Sequence, residues 1–171
     1  RAGQFGELTG ASVHGWGGEI SGGGCQHIAV LRLLTGSEIT QVTAWGHPDE
    51  ALRGDTDEGL IINGLLQLSN GLTCAVFGEP TPYRGVDVWS RDALVRWDWG
   101  PPVIYRGMAD DGRRKEIERA YAPLAYPQFN YLGTSILSFL QVLENGGQLA
   151  ISGHDLRQSL EVAIAAKFSA L

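Results

Sequence analysis

Residues 60–78 read LIINGLLQLSNGLTCAVFG, two apolar runs joined by Asn70-Gly71. No other stretch restricts the fold as much. Asn-Gly favours the type I′ turn whose twist matches that of paired strands, so the segment predicts an antiparallel hairpin. A second hairpin is predicted just downstream. There Val86 and Val88, then Val95, Trp97 and Trp99, alternate with Asp87, Arg96 and Asp98 around a turn at Arg91-Asp92. Such alternation gives a strand one buried and one wet face, which indicates an antiparallel sheet. The buried face of that sheet needs a covering layer, and the rest of the chain offers helices for it.

Residues 7–16 carry Leu8, Val13 and Trp16 and predict an opening strand. Ser21 is placed to cap a helix through about Leu34, with Ile28, Leu31 and Leu34 on one face and Gly36 as its stop. Residues 39–46 alternate as a strand, and the acidic stretch Asp49 to Glu58 predicts a loop. Residues 100–128, with four prolines and the charged run Asp110 to Arg119, predict an irregular arm or lid. Two helices close the chain. Phe129, Leu132, Ile136, Phe139, Leu140 and Leu143 form the apolar face of the first, which ends at Asn145-Gly146-Gly147. Ser152 caps the second with Asp155 in its first turn, and Leu156, Leu160, Ile164, Phe168 and Leu171 are expected on its core side. The class is α+β, a mainly antiparallel open sheet with helices packed on one face, and residues 1–171 form a single domain.

Composition narrows the function. With 43% hydrophobic and 19% charged residues in 171, the chain is globular. A net charge of −6 argues against a nucleic-acid surface. No apolar run reaches the roughly 20 residues of a membrane span, and no basic start leads into an apolar stretch. A cytoplasmic protein is therefore expected. Cys25 and Cys74 form no CxxC pair, so they read as free thiols rather than zinc ligands or a redox motif. No His, Asp and Glu cluster has metal-ligand spacing, and no metal is expected. Glycines crowd residues 15–24, where tight backbone or close approach to another molecule is implied. The chain begins at Arg1 without Met and reads as a piece of a longer polypeptide.

Three stretches together resemble the Gfo/Idh/MocA family of oxidoreductases. The opening, RAGQFGELTGASVHGWGG, is similar to the family's step out of its cofactor domain into the first strand of the second domain. GGEISGGGCQHIAVLRLLTG is similar to its glycine-rich turn and active-site helix. FNYLGTSILSFLQVLENGGQLAISGHDLRQSLEVAIAAKFSAL resembles its closing pair of helices. The resemblance implies a C-terminal, substrate-binding and oligomerisation domain of an enzyme that uses NAD or NADP. It also implies that the cofactor is held mainly by a Rossmann domain absent from this chain. Neither a strand followed by GxGxxG nor an E-K-P motif is present, so this chain alone is expected to bind no nicotinamide and to be inactive by itself.

The resemblance places His27 in the slot of the proton-handling histidine, a residue type whose pKa suits an alcohol oxidation. The aspartate slot is then Gly23. Shifting the register to fit Arg32 and Gly36 puts Gln26 in the histidine slot and Gly22 in the aspartate slot. Neither register restores the carboxylate. His27 is the catalytic candidate, with Gln26, Gly23 and Gly24 against substrate. His14 and Trp16, two apart at the end of the first strand, are expected on one face. They either face the cleft as sugar-binding groups or lie at the surface and in the core. Expected partners are a sugar-like small molecule and a second copy docking through the sheet face, with no nucleic acid and no membrane. The competing expectation is a non-catalytic binding or assembly module with the same fold. A weaker third is a sugar isomerase or lyase using His27 as base.

Overall fold

The structure, a computed structural model, describes residues 6–99, 102–106, 118–121, 131–149 and 152–171. Strands β1 (Leu8–His14) and β2 (Gly17–Gly18) lead into helix α1 (Gly24–Thr35). Next come β3 (Ile39–His47), a short helix α2 (Asp49–Arg53), β4 (Leu60–Leu68) and β5 (Thr73–Phe77). Strands β6 (Gly85–Ser90), β7 (Ala93–Trp97), β8 (Val103–Arg106) and β9 (Glu118–Tyr121) follow, then α3 (Tyr131–Asn145) and α4 (Gly153–Ala170). The strands form one sheet in the order β2-β4-β5-β1-β6-β7-β8-β9, with β3 also paired to β4. Among the described pairings only β1 with β5 is parallel. The α+β expectation, a mainly antiparallel sheet with helices on one face, holds.

The two hairpins stand where the sequence puts them, but the first turn differs. The Gly71 amide donates to the Leu68 carbonyl at 3.0 Å, Leu68 N–H to Leu72 O at 2.8 Å, and only Gly71 has positive φ, +88°. This is a three-residue loop with a left-handed glycine, not a two-residue type I′ turn. Leu72 then pairs back one residue later than a two-residue turn allows. In the second hairpin Asp87 faces Arg96 and Val88 faces Val95, as the alternation requires.

Helix α1 starts without the Ser21 cap. Its N-cap is Gly23, with no side-chain cap bond, while the Ser21 amide donates to Asp57 Oδ2 at 2.6 Å. Gly36 ends the helix as expected, at φ +63° with its N–H on Arg32 O. The stretch after Pro48 is a short helix rather than loop, since Asp49 and Glu50 suit its N-terminal dipole. Part of the predicted arm is strand, β8 and β9, extending the sheet edge by backbone pairing. The rest of that arm, with the run from Asp110 through Ile117, and Phe129 lie outside the described residues.

Helix α4 corrects a second expectation. Ser152 and Asp155 form a reciprocal capping box as read. Yet Leu156, Leu160, Ile164, Phe168 and Leu171 face outward, and the packed side is Ser159, Val162, Ala163 and Ala166. Small residues let the α4 backbone approach α1 and β3 closely, a fit that a leucine stripe would prevent. Arg32 ties this junction. It donates to Glu38 at 2.7 Å and to the Asp155 carbonyl at 2.8 Å, and it also meets Gln158. The core lies between the sheet and helices α1 and α4, from Ala11 and Val13 through Trp16, Ile28, Leu31, Ile62 and Leu66 to Val86 and Val88, while Ile136, Phe139, Leu140 and Leu143 of α3 are exposed.

Candidate functional site

The site grows from the turn between β1 and α1. Gly15, at φ +70°, turns the chain off the strand and drives Trp16 fully into the core, 0% exposed. His14 stays on the opposite, open face of the sheet, stacked on Phe77 at 5.3 Å. The two therefore do not share a face, because the intervening positive φ breaks the strand's alternation. Gly24 fits under Trp16: a Cβ there would stand 2.4 Å from the indole Nε1. Gly23 has open space around it and needs no glycine for packing. Gln26 is exposed on the first turn of α1.

One turn into α1, His27 is only 4% exposed. Its ring meets Trp99 edge-on at 5.2 Å and Trp97 at 6.1 Å. Among the described residues, three buried side-chain nitrogens have no hydrogen-bond partner: Nδ1 and Nε2 of His27, and Nε1 of Trp16. Buried polar atoms are almost always paired, so three orphans around one helix start set this region apart from the rest of the described core. Burial pushes the His27 pKa down, and the Arg84 charge pushes it further; the Gly23 and Gly24 carbonyls lean the other way without reaching hydrogen-bond geometry. His27 is thus held neutral, the form that accepts a proton.

A stability consequence follows. A histidine whose folded pKa lies below its unfolded value of about 6.5 takes up its proton first in the unfolded chain. Its contribution is complete above about pH 6.5 and is lost as pH falls from there toward the folded pKa. The urea midpoint is expected to fall on acidification through this window, and His27→Gln to flatten that part of the curve. An unchanged slope in the variant would show that His27 is not the group responsible.

No described carboxylate bonds to His27. The Glu19 carboxylate packs over Gly22, where an added Cβ would come within 2.3 Å of Oε1, and its charge acts on Cys25. Cys25 donates from Sγ to Gly22 O at 2.9 Å, and burial raises its pKa, which suits a quiet thiol. Cys74 is buried and pushed up to about 12 by burial. Among the described residues no group of three His, Cys, Asp or Glu could hold a metal ion, and no helix is long and apolar enough to cross a membrane. His154 is exposed at the α4 start, and His47 bonds to Glu79 at 2.8 Å.

Sequence reasoning missed a polar cluster on the open face. Asp87, 6% exposed, accepts two bonds from Arg96, 2.9 and 2.7 Å, and one from Tyr83 OH, 2.6 Å. Ser12 Oγ shares a 2.8 Å hydrogen bond with His14 Nε2, and Asp87 Oδ2 lies 4.0 Å from that same nitrogen. Serine and aspartate on one ring nitrogen cannot form a relay, so this Ser-His-Asp set is not a nucleophile. Burial lowers the His14 pKa, against the pull of Asp87. Ser12, Asp87 and Arg96 fall opposite one another only through the pairing register of β1, β6 and β7, which the sequence alone does not set.

The sheet and its helix layer recur in solved proteins. The UDP-N-acetylglucosamine 3-dehydrogenase of Acidithiobacillus ferrooxidans matches over 97% of this chain and 56% of its own, with TM-score 0.71 and 18% identity. An aldose-aldose oxidoreductase from Caulobacter crescentus, solved with glycerol, matches over 97% and 54%, with TM-score 0.71 and 20% identity. The fold is that of the C-terminal domain of Gfo/Idh/MocA-type oxidoreductases. An oxidoreductase from Agrobacterium radiobacter, solved with NAD+, L-tartaric acid and magnesium, shares it at TM-score 0.63 and 18% identity over 99% of this chain and 56% of its own. The chain spans just over half the length of each of these proteins. No protein-family profile matches the sequence, and no curated protein does.

Proposed function

We propose that this chain is the substrate-binding and oligomerisation domain of an NAD(P)-dependent oxidoreductase acting on a sugar, cyclitol or related hydroxy compound. The observation that carries the reading is the His27 imidazole, buried, neutral and without a partner on either ring nitrogen. A nitrogen in that condition suits a substrate hydroxyl and can take its proton as the alcohol becomes a carbonyl. The Trp16 indole, fully buried against Gly24, fixes the position of that helix start. Gln26 and the backbone at Gly23 and Gly24 form the rim. NAD or NADP, held mainly by a further domain, would supply the hydride acceptor. The Agrobacterium oxidoreductase, which shares this fold, was solved with NAD+, and the residues here offer orphaned polar groups rather than a phosphate cradle of their own.

The open face supports the second part. Trp45, Leu65 and Phe77 are exposed there side by side with the buried Asp87 cluster. A second copy of the chain is the partner this surface would take, and the free thiols suit a reducing cytoplasm.

The test is to express the complete reading frame and follow reduction of NAD+ and NADP+ with a panel of sugars and cyclitols. Turnover with one of them is expected. That no described carboxylate bonds to His27 favours the alternative, a non-catalytic binding module, and that reading stands if no polyol reduces either cofactor while one still binds.

A further inference from the structure

His27 is covered by two tryptophans of different character. Trp97 is fixed. Its carbonyl presses on Gly85, where an added Cβ would come within 1.9 Å of it, and it faces Val86 in the β6–β7 register. Trp99 is not fixed. It lies past the end of β7, the residue is 47% exposed, and among the described residues no hydrogen bond holds its indole. It is the one described non-glycine residue with positive φ, +68°. A bulky residue in that region is strained, and such strain persists where a neighbouring group holds it. The holding groups are aromatic: Trp97 at 4.9 Å and His27, edge-on, at 5.2 Å.

We propose that Trp99 is the specificity-determining cover of His27. Its indole fills the place of one six-membered hydroxylated ring and swings outward to admit that ring between Trp97 and His27. The inference rests on the oxidoreductase reading for the role of His27, and it deepens that reading by naming the residue that decides which ring reaches the imidazole. The logic is steric. A base with both nitrogens closed off cannot touch a hydroxyl until a neighbour moves, and of its two aromatic neighbours only Trp99 is both strained and half in solvent. Apolar C–H faces of pyranoses and cyclitols stack well on indole, so the ring would pack against Trp97 in the place that the Trp99 indole vacates. An open-chain polyol presents no such face.

Carbethoxylation of the intact 171-residue chain, mapped to His27 by peptide mass, tests the cover. In Trp99→Gly the His27 rate is expected to rise about tenfold, the factor for removing a cover whose opening costs about 1.4 kcal/mol. In Trp99→Phe it should stay low. The unfolding midpoint of Trp99→Gly should hold or rise, because glycine takes a positive φ freely; a merely structural tryptophan would lower it. In the unsubstituted chain, myo-inositol should shift the Trp99 indole N–H resonance, and in Trp99→Gly it should slow His27 modification by occupying the opened place; an acyclic polyol should do neither. An unchanged His27 rate in Trp99→Gly, or no response to myo-inositol, overturns the proposal. These readouts need no cofactor and no turnover, so a full-length protein that reduces no nicotinamide would overturn the oxidoreductase reading separately.

Discussion

Trp16→Ala is expected to lower the free energy of unfolding by about 3–5 kcal/mol, the range for truncating a large aromatic side chain in a core. Trp16 is 0% exposed, lies between the Gly15 turn and β2, and packs over Gly24 at the start of α1. Its removal takes away the surface against which the helix start is set, so the cost combines lost burial with the cavity left behind. Chemical denaturation of the two chains measures it directly. Trp16→Phe should cost much less, because the shorter ring also removes an indole N–H that has no partner. Equal losses for the two variants would mean that the indole N–H is satisfied in solution, by water or by a neighbour.

His27→Gln in the full-length protein is expected to reduce kcat by about 10²–10⁴-fold, the usual contribution of a positioned proton acceptor. KM should change little, since glutamine keeps a polar group at the same point of α1. The pH profile is the sharper readout. The acidic limb of kcat/KM should report a group titrating below the ordinary histidine value, because burial and then Arg84 depress His27. In His27→Gln that limb should vanish. A variant that retains both the rate and the limb would move the proton-handling role away from α1 altogether.

The periodic features of this chain were readable. Alternation placed the β4–β5 and β6–β7 hairpins, and Gly36 and Ser152 set helix ends, because each depends on a few adjacent residues. The resemblance of GGEISGGGCQHIAVLRLLTG to an active-site helix led to His27, and the structure puts unpartnered nitrogens there. Other features were not readable because their cause is distant in sequence. Asn70-Gly71 announced a turn, but its length was decided by how Leu68 and Leu72 pair. His14 and Trp16 looked like neighbours on a strand until Gly15 turned the chain between them. The Asp87 cluster needed the register of three strands before its members met.

Helix α4 shows the division most plainly. Its sequence carries two apolar sides, a leucine stripe from Leu156 to Phe168 and a small-residue side through Ala163 and Ala166. Periodicity determined that a helix would form and where it would start. It had no means of choosing the buried side, because that choice depends on how closely α1 and β3 approach. Alanine and serine allow the close approach, and the larger residues were left outside. The same holds for His27. Sequence determined its place on α1, and the tertiary structure alone closed Trp97 and Trp99 over it, since those residues arrive from a hairpin about 70 positions away and meet the imidazole only when the sheet and helix layers pack.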